Sequence, residues 1–385
     1  MTKPRCRYRM TATMFGTILL FLVLLSLLVF VHEAGHFFMA KKMKMKVEEF
    51  GFGFPPRAWG IKKGDTVYSV NWIPLGGFVK IKGESGENAH DPDSFASKKA
   101  WQRFLVLVAG VAMNFALAAV LLSIGFLFGL PSVVDENLPA YANVRDERVV
   151  IMAVSPDSPA SRAGIEAGDS LLSIDGQTFV AAEAARAYIA EHGDRGIDVV
   201  VKKTDGTTET VEVTSEDLAG TDVHGIGVGI LSTGLVSFPV HMAVVHGVSA
   251  TWTYTVEVVK AFGGLIGNLV VKQEVSVDLS GPVGIAVMTG EVAAMGFSYL
   301  LQFAALLSIN LAVLNILPFP ALDGGRVLFL IIEKLRRKPV DVRVEAAVHN
   351  LGFALLMILV VLVTYRDFVK FGDQIWGTLR SLVGA

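Results

Sequence analysis

Two histidines and a glutamate stand close together near the end of the first apolar run, in the order His32-Glu33-Ala34-Gly35-His36. On a helix, residues four positions apart lie on one face, so both imidazoles can bind a single metal ion. Glu33 lies beside them and can take a proton from an attacking water molecule. Ionisable side chains inside a spanning helix are costly unless paired, which makes them functional candidates. The pattern predicts metal-assisted hydrolysis; its alternative is an interfacial cluster of satisfied polar groups.

A third protein ligand is expected on another span, because catalytic zinc usually has three protein ligands together with water. The candidate is Asp323, which follows Pro318 and Pro320 at the end of a later apolar run. The two prolines interrupt a helix and Gly324-Gly325 allows a sharp bend, so the segment can bring Asp323 inward. Taken alone, the segment also reads as an ordinary proline kink with an interfacial aspartate. Iron or cobalt can occupy the same ligands as zinc.

The depth of the two histidines in the membrane follows from helix geometry. His32 lies 18 residues after Met14, which is about 27 Å along a helix. His36 lies about 7 Å before Lys41, which marks the interface. We therefore expect the site just inside the cytoplasmic boundary, where the water that hydrolysis consumes can reach it.

The elements that must position these residues are membrane-spanning helices. The chain has 385 residues, of which 52% are hydrophobic and 18% charged, against about 25% charged in soluble proteins. Four apolar runs, at residues 10–31, 104–134, 292–322 and 346–365, are each long enough to cross a hydrocarbon core of about 30 Å. They predict a polytopic α-helical membrane protein with about four spans. The net charge of −2 gives no general attraction to nucleic acid, and the one cysteine, Cys6, excludes an intrachain disulfide.

The basic residues predict the orientation in the membrane. Lysine and arginine are concentrated in the loop at 41–100 and again at 334–343, so both loops should face the cytoplasm. This leaves residues 130–290 and both termini outside. The basic N-terminal tail favours the opposite orientation. Translation from Met10 or Met14 would resolve the conflict, and so would a dominant effect of the later loops.

Between the spans, composition predicts three further regions. The loop at 41–100 alternates aromatic or β-branched residues with Gly and Pro, which predicts a cytoplasmic, membrane-associated β-loop, although composition alone also fits an ordinary β-loop. Residues 149–231 combine strand patterns at 149–154, 170–176, 198–203 and 210–214 with a helical pattern at 181–192, which predicts an extracytoplasmic α+β domain. Charges and glycines interrupt the apolar stretch at 237–272, which predicts an extracytoplasmic interfacial helix region at 237–290 rather than a fifth span. The full organisation is a tail at 1–13, transmembrane helices at 14–40 and 101–130, a third transmembrane segment at 292–332, a fourth helix at 346–365 and a C-terminal tail at 366–385.

Motifs in several parts of the chain match a single family. The first two are His32-Glu33-x-x-His36 and Asn315-x-x-Pro318-x-Pro320-x-Leu322-Asp323-Gly324. Shorter ones are Leu75-Gly-Gly-Phe-Val-Lys, Ala109-Gly-x-x-Met113-Asn114-Phe and Ser280-Gly-Pro-x-Gly284. Together they resemble the site-2 protease family of M50-type intramembrane zinc metalloproteases, in its bacterial branch that releases envelope-stress sigma factors. The resemblance implies a Zn²⁺ cofactor, with His32, His36 and Asp323 as ligands and Glu33 as base. It also implies that Asn315 orients the substrate or stabilises the oxyanion.

Residues 149–231 resemble a PDZ domain of the bacterial kind. The likeness rests on Ser155-Pro-x-Ser-Pro159, Gly168-Asp169 and Ile174-Asp175-Gly176, which match its turn–helix–strand pattern. One copy is found, without a clear Gly-Leu-Gly-Phe loop to capture a peptide carboxylate. A size filter or a regulatory brake therefore stands beside peptide binding as an interpretation.

The resemblance implies a bacterial inner-membrane protease in contact with the lipid bilayer. Its substrates would be single-span membrane proteins, for example anti-sigma factors, already shortened outside by another protease. Two other classes stay open: a silent membrane adaptor, which would not need the His-Glu-His-Asp set, and a metal transporter, which usually shows several polar spans or repeats.

Overall fold

The structure, a computed structural model, describes residues 4–88, 90–135, 138–204, 206–218, 224–271, 280–338 and 340–383. It divides into two compact units, Met1–Leu122 with Gly247–Ala385 and Ser123–His246. The helices are α1 Pro4–Lys42, α2 Ala100–Phe128, α3 Pro159–Arg162, α4 Ala182–His192, α5 Val240–Val271, α6 Pro282–Met295, α7 Phe297–Ile316, α8 Asp323–Arg336 and α9 Val342–Val383. The strands are β1 Val47–Lys63, β2 Thr66–Ile81, β3 Leu130–Val133, β4 Asn143–Val154, β5 Ser170–Ile174, β6 Ile197–Lys202, β7 Thr208–Val213, β8 Glu216–Asp217, β9 His224–Gly225 and β10 Val228–Ser237.

Within the described residues, four helical segments are long and apolar enough to cross a membrane. They are Gly16–Lys42, Ala100–Phe128, Phe297–Ile316 and Val342–Lys370. The 32-residue α5, which carries Glu257 and Lys260, is not among them. The apolar α6 has 14 residues and is therefore only about 21 Å long, too short to span. The number of spans predicted from the sequence agrees with these four.

Several helices extend beyond the predicted spans. α1 begins at Pro4, within the stretch assigned to a tail, and α9 continues to Val383, through most of the predicted C-terminal tail. Hydrophobicity limits the part of a helix that can lie in lipid, but it does not end the helix. Residues 366–383 contain no proline, so helical hydrogen bonding continues into the polar sequence.

A long antiparallel hairpin packs against α1. Residues 47–52 of β1 pair on one side with residues 77–81 of β2, and residues 49–52 pair on the other side with residues 67–70. Residues 57–63 of β1 pair with residues 66–71 of β2. Each of the two elements, 17 and 16 residues long, therefore folds back on itself and consists of short paired segments, as the sequence predicted. Pro55-Pro56 lies between the paired segments of β1, and Pro74 and Gly76 lie between those of β2. Stacking of Phe37 on Phe50, with centroids 4.7 Å apart, anchors the hairpin to α1.

The second unit contains a six-stranded antiparallel sheet in the order β3-β10-β4-β5-β6-β7. Its core is formed by alternating residues of the strands together with the apolar face of α4, including Val149, Ile174, Ala185, Ile189 and Val199. The four predicted strands and the predicted helix are present; β4 begins six residues earlier than predicted, and the other ends differ by at most two residues. β3 and β10 were not predicted. β10 lies between β3 and β4.

Candidate active site

The structure brings the two histidines of α1 next to the first residue of α8. His32 Nε2 and His36 Nε2 lie 3.0 and 3.3 Å from Asp323 Oδ2, and 3.1 Å from one another. Both imidazoles are buried, and Asp323 is partly exposed. This set of two imidazole nitrogens and one carboxylate oxygen, within 4.8 Å of one another, can hold one metal ion. It is the donor set of a catalytic zinc site, with a position left for water.

The approach of Asp323 depends on a tight reversal of the chain between α7 and α8. α7 ends at Ile316, and the chain turns back before α8 begins. A Cβ at Gly324 would lie 2.1 Å from the carbonyl oxygen of Leu317, and one at Gly325 would lie 2.4 Å from that of Phe319. Only glycine fits at both positions. The bend expected from the sequence is therefore present, and it carries Asp323 to the histidines.

Hydrogen bonds on the far side of each imidazole favour metal binding through Nε2. His36 Nδ1 lies 2.8 Å from the carbonyl oxygen of Val106, which can only accept, so Nδ1 carries the proton and Nε2 a free lone pair. His32 Nδ1 lies 3.4 Å from Nδ2 of Asn114, whose buried Oδ1 has no partner among the described residues. Turning the Asn114 amide over would let its Oδ1 accept the Nδ1 proton of His32. The residues present therefore fit a metal bound between the two Nε2 atoms.

The helices that carry and support these imidazoles approach one another through two glycines. A Cβ at Gly110 of α2 would lie 2.4 Å from His36 Nε2 and 2.8 Å from His32 Cε1. A Cβ at Gly35 of α1 would lie 2.3 Å from the carbonyl oxygen of Ala109. Small residues allow spanning helices to come this close. The close contact restricts the positions that the imidazoles can take.

Glu33 lies on the side of α1 that faces the hairpin. Its Oε2 accepts a hydrogen bond from the backbone N–H of Val79 in β2, at 3.1 Å. Together with His36 and Asp323, Glu33 lines a cavity of about 330 Å³. Other lining residues come from β2, α2 and the start of α8, among them Gly77, Phe78, Val106, Leu107 and Leu322. The candidate base and two of the candidate ligands therefore face one cavity.

The cavity wall also contains an ion pair that the sequence did not single out. Arg326 of α8 donates to Glu84, which follows β2 in the chain. The pair ties the end of the hairpin to the helix that begins with Asp323. No local pattern connects these two residues, because they meet only in the folded chain.

The position of Asn315 differs from that of the other predicted residues. Its Nδ2 lies 3.4 Å from Nε2 and 3.5 Å from Nδ1 of His32, so the structure does bring it to the centre. However, it is not among the residues that line the cavity. Its role in binding substrate or oxyanion stays a prediction.

The second unit has a groove of its own. The groove has a volume of about 470 Å³ and lies beside α4 and the first residues of β10, with Arg186, Ile189, His224 and Ile226 in its walls. The segment Gly225-Ile226-Gly227-Val228 borders it directly. Gly227 has φ +82°, and a Cβ there would lie 2.3 Å from that of Ser158. The sequence analysis found no clear Gly-Leu-Gly-Phe loop. The alternation of glycines with apolar residues at 225–228 was the sequence feature that could have located this groove.

Comparison with solved structures and curated proteins places the chain among known proteins. The PDZ domain of an SdrC-like protein from Listeria innocua matches 22% of this chain and 92% of its own length, with 26% identity and a TM-score of 0.19. The zinc metalloprotease RasP of Geobacillus kaustophilus is 31% identical, with 92% of this chain and 98% of the relative covered. The regulator of sigma-W protease RasP of Bacillus subtilis is 32% identical, covering 92% and 99%. A putative zinc metalloprotease of Clostridium perfringens is 36% identical, covering 90% and 97%.

The profile of Peptidase family M50 matches residues 20–359, which is most of the chain. These matches favour neither the adaptor nor the transporter interpretation. Taken with the His-His-Asp group and the four apolar helices, they show that the chain belongs to peptidase family M50 and is a multi-pass membrane zinc metalloprotease.

Proposed function

We propose that this protease hydrolyses peptide bonds within or beside the membrane segment of single-span membrane proteins, after another protease has shortened their ectodomains. The observation that carries the proposal is the position of the cavity. Glu33 and His36 line it from within Gly16–Lys42, a segment apolar enough to lie in the bilayer. A peptide bond that reaches these residues is one at membrane depth.

In the proposed site, His32, His36 and Asp323 are the zinc ligands and Glu33 is the general base. Zinc, when bound, lowers the pKa of water and polarises the scissile carbonyl. The carbonyl of Val106 keeps the proton of His36 on Nδ1, and so orients Nε2 towards the centre. The Val79 N–H holds one oxygen of Glu33, which leaves the other free to accept a proton from the attacking water. Glu33 can then pass that proton to the leaving amine.

The hairpin is the proposed binding surface for the unwound substrate. A helical substrate hides its carbonyls in its own hydrogen bonds, so it must become extended before cleavage. Phe54 of β1 and residues 77–79 of β2 line the cavity beside Glu33. An extended segment can add to a strand edge through main-chain hydrogen bonds. Proline replacements along residues 66–81 should therefore reduce cleavage, and undiminished cleavage in all of them would argue against strand addition.

The proposed orientation places the loop at 41–100 in the cytoplasm and residues 149–231 outside. It is supported by the basic residues at the C-terminal ends of α1 and α8. Single cysteines at the exposed Val180 and at Arg336, in a chain with Cys6 replaced by serine, test it with an impermeant maleimide on intact cells. Labelling at position 180 alone is expected. Labelling at position 336 alone would reverse the orientation.

Residues 149–231 are proposed to act as a filter that excludes intact ectodomains. One relative is named a regulator of sigma-W protease, which supports anti-sigma factors as the substrate class. Deletion of residues 149–231 should permit cleavage of an untrimmed substrate, and unchanged selectivity would contradict the filter.

The groove beside β10 favours a second role for the same domain, the capture of a peptide end exposed by the first cut. Ala190→Trp would fill the groove from an exposed position on α4. Slower cleavage of trimmed substrate, with untrimmed substrate still excluded, would support peptide capture. Unchanged cleavage of trimmed substrate would contradict peptide capture and leave the filter as the domain's single proposed role.

The central test is cleavage of a pre-trimmed single-span reporter in membranes, by the native chain and by Glu33→Gln at equal protein levels. Product from the native chain only would support the proposed activity and base. Equal product from both would show that another protease makes the cut. A reporter that neither chain cleaves, when the native chain cleaves soluble casein, would contradict the intramembrane substrate class.

A further inference from the structure

We propose that His349 of α9 is a positioning residue for the metal centre. It would hold the turn before α8 in the conformation that directs Asp323 towards the two imidazoles. The inference rests on the proposed function, in which Asp323 is a zinc ligand. His349 lies 26 positions after Asp323, and no motif in the sequence connects the two.

The turn that His349 contacts has an unusual backbone conformation. Ala321, two residues before Asp323, has φ +80°. Side-chain-bearing L residues rarely adopt this region, and they remain in it only where the surrounding structure holds them. Relaxation of Ala321 would rotate the following peptide units and move the carboxylate at the start of α8. Something outside the turn must therefore hold it.

His349 provides that contact through a hydrogen bond to the backbone. Its Nδ1 accepts the N–H of Ala321 at 2.9 Å. A backbone N–H can only donate, so Nδ1 is unprotonated and a neutral ring carries its proton on Nε2. Nε2 is buried without a partner among the described residues. Buried side-chain nitrogens without a hydrogen-bond partner are rare in folded proteins. If His349 only filled space, an apolar side chain would be more stable here, because it would bury no unpaired polar atom.

The backbone of α9 is also fitted to the turn. A Cβ at Gly352 would lie 2.4 Å from the Cβ of Pro320 and 2.6 Å from its carbonyl oxygen. Gly352 is one turn beyond His349, so this close approach fixes the height of the imidazole beside Ala321. Phe329 of α8 packs on the other side of His349, with ring centroids 5.5 Å apart. His349 therefore lies between the turn and the helix that follows it.

The test is zinc affinity of the full chain in detergent, measured by competition with a chelator, together with reporter cleavage. His349→Ala should weaken zinc binding by about 10- to 100-fold, as loss of contacts behind metal ligands does. His349→Asn should retain most of the affinity, because its side-chain carbonyl can accept the same N–H. Addition of Ala321→Gly to His349→Ala should restore part of it, since glycine adopts positive φ without strain. Asn350→Ala, at the exposed neighbouring position, is the matched control and should bind zinc normally.

Native zinc affinity in His349→Ala would overturn the inference. Equal losses in the Ala and Asn variants, without recovery by Ala321→Gly, would overturn it as well, because they would indicate a packing role. Should His349→Ala fail to accumulate, His349→Leu against His349→Asn gives the same comparison. Asp323→Asn separates the two proposals. If it leaves zinc binding unchanged, the proposed ligand set is wrong; if it weakens binding while His349→Ala does not, only the positioning role is wrong.

Discussion

Gly110 of α2 lies so close to His36 of α1 that a Cβ at position 110 would be 2.4 Å from the imidazole Nε2. That nitrogen is one of the three atoms that can hold the metal. The space for the metal ligands is therefore set by a residue that has no side chain and takes no part in the chemistry. A methyl group there cannot be relieved by a flexible neighbour, because both imidazoles are buried.

Gly110→Ala should displace the imidazoles and weaken zinc binding by at least about tenfold, with a matching loss of cleavage. Zinc competition and reporter cleavage on the purified chain measure both effects. Gly263→Ala in α5 is the control, because nothing lies within 4 Å of its new Cβ. An alanine within a helix stabilises it by up to about 1 kcal/mol relative to glycine, so the control should not lose stability. Full zinc affinity in Gly110→Ala would contradict the close packing described above.

Glu33→Gln should reduce the cleavage rate by about 100- to 10,000-fold while zinc remains bound. The amide oxygen can still accept the Val79 N–H, so the side chain keeps its position but loses the ability to take a proton. The zinc content of the purified variant reports metal binding, and its single-turnover cleavage rate reports the chemical step. Glu48→Gln, on β1 and outside the cavity lining, is the matched control and should cleave at the native rate. Cleavage by Glu33→Gln at the native rate would remove Glu33 from the role of base.

Neutralising one partner of the Glu84–Arg326 pair should leave the other charge partly buried beside the cavity. We expect Glu84→Gln to lower the free energy of unfolding by about 1–3 kcal/mol. A lower midpoint temperature of thermal unfolding in detergent would report this loss. The exposed pair Glu257–Lys260 on α5 provides the comparison, because Glu257→Gln should cost less than about 0.5 kcal/mol. The reversed pair, Glu84→Arg with Arg326→Glu, should recover part of the loss. Equal losses of unfolding free energy in Glu84→Gln and Glu257→Gln would show that the cavity pair stabilises the fold no more than an exposed pair does.

The local stability of β8 and β9 in the second unit should depend on pH. Hydrogen bonds to Asp217 and then Asp194 raise the pKa of His224 above its ordinary value of 6.5. The stabilisation is therefore fully present below pH 6.5 and is lost as the pH rises through the raised pKa. Amide hydrogen exchange at β8 and β9, corrected for intrinsic rates, should show weaker protection above that range. Asp217→Asn should flatten the profile, and an unchanged profile would contradict the pairing.

The residues proposed for the chemistry were predictable because their patterns are local. Two histidines four positions apart on one helix share a face, and Glu33 lies between them. Asp323 was found because Pro318, Pro320 and the two glycines after it indicate a broken helix. The structure brings these side chains together, while their roles remain proposals.

The supporting contacts could not be predicted in this way. Val79, Gly110 and His349 act on the site through a strand register, a helix crossing and a turn on another helix. Each depends on which elements become neighbours, and single-residue patterns do not carry that information.

His32 and Asp323 are separated by 291 positions in the chain. A polypeptide that has been synthesised and inserted only as far as α6 already possesses both imidazoles and the glutamate, but lacks the carboxylate that completes the set. On the proposed ligand set, such a chain would therefore not cleave its neighbours in the membrane. Proteolytic activity would then arise only after α7 and α8 have entered, so the order of translation would delay cleavage until both helices are present.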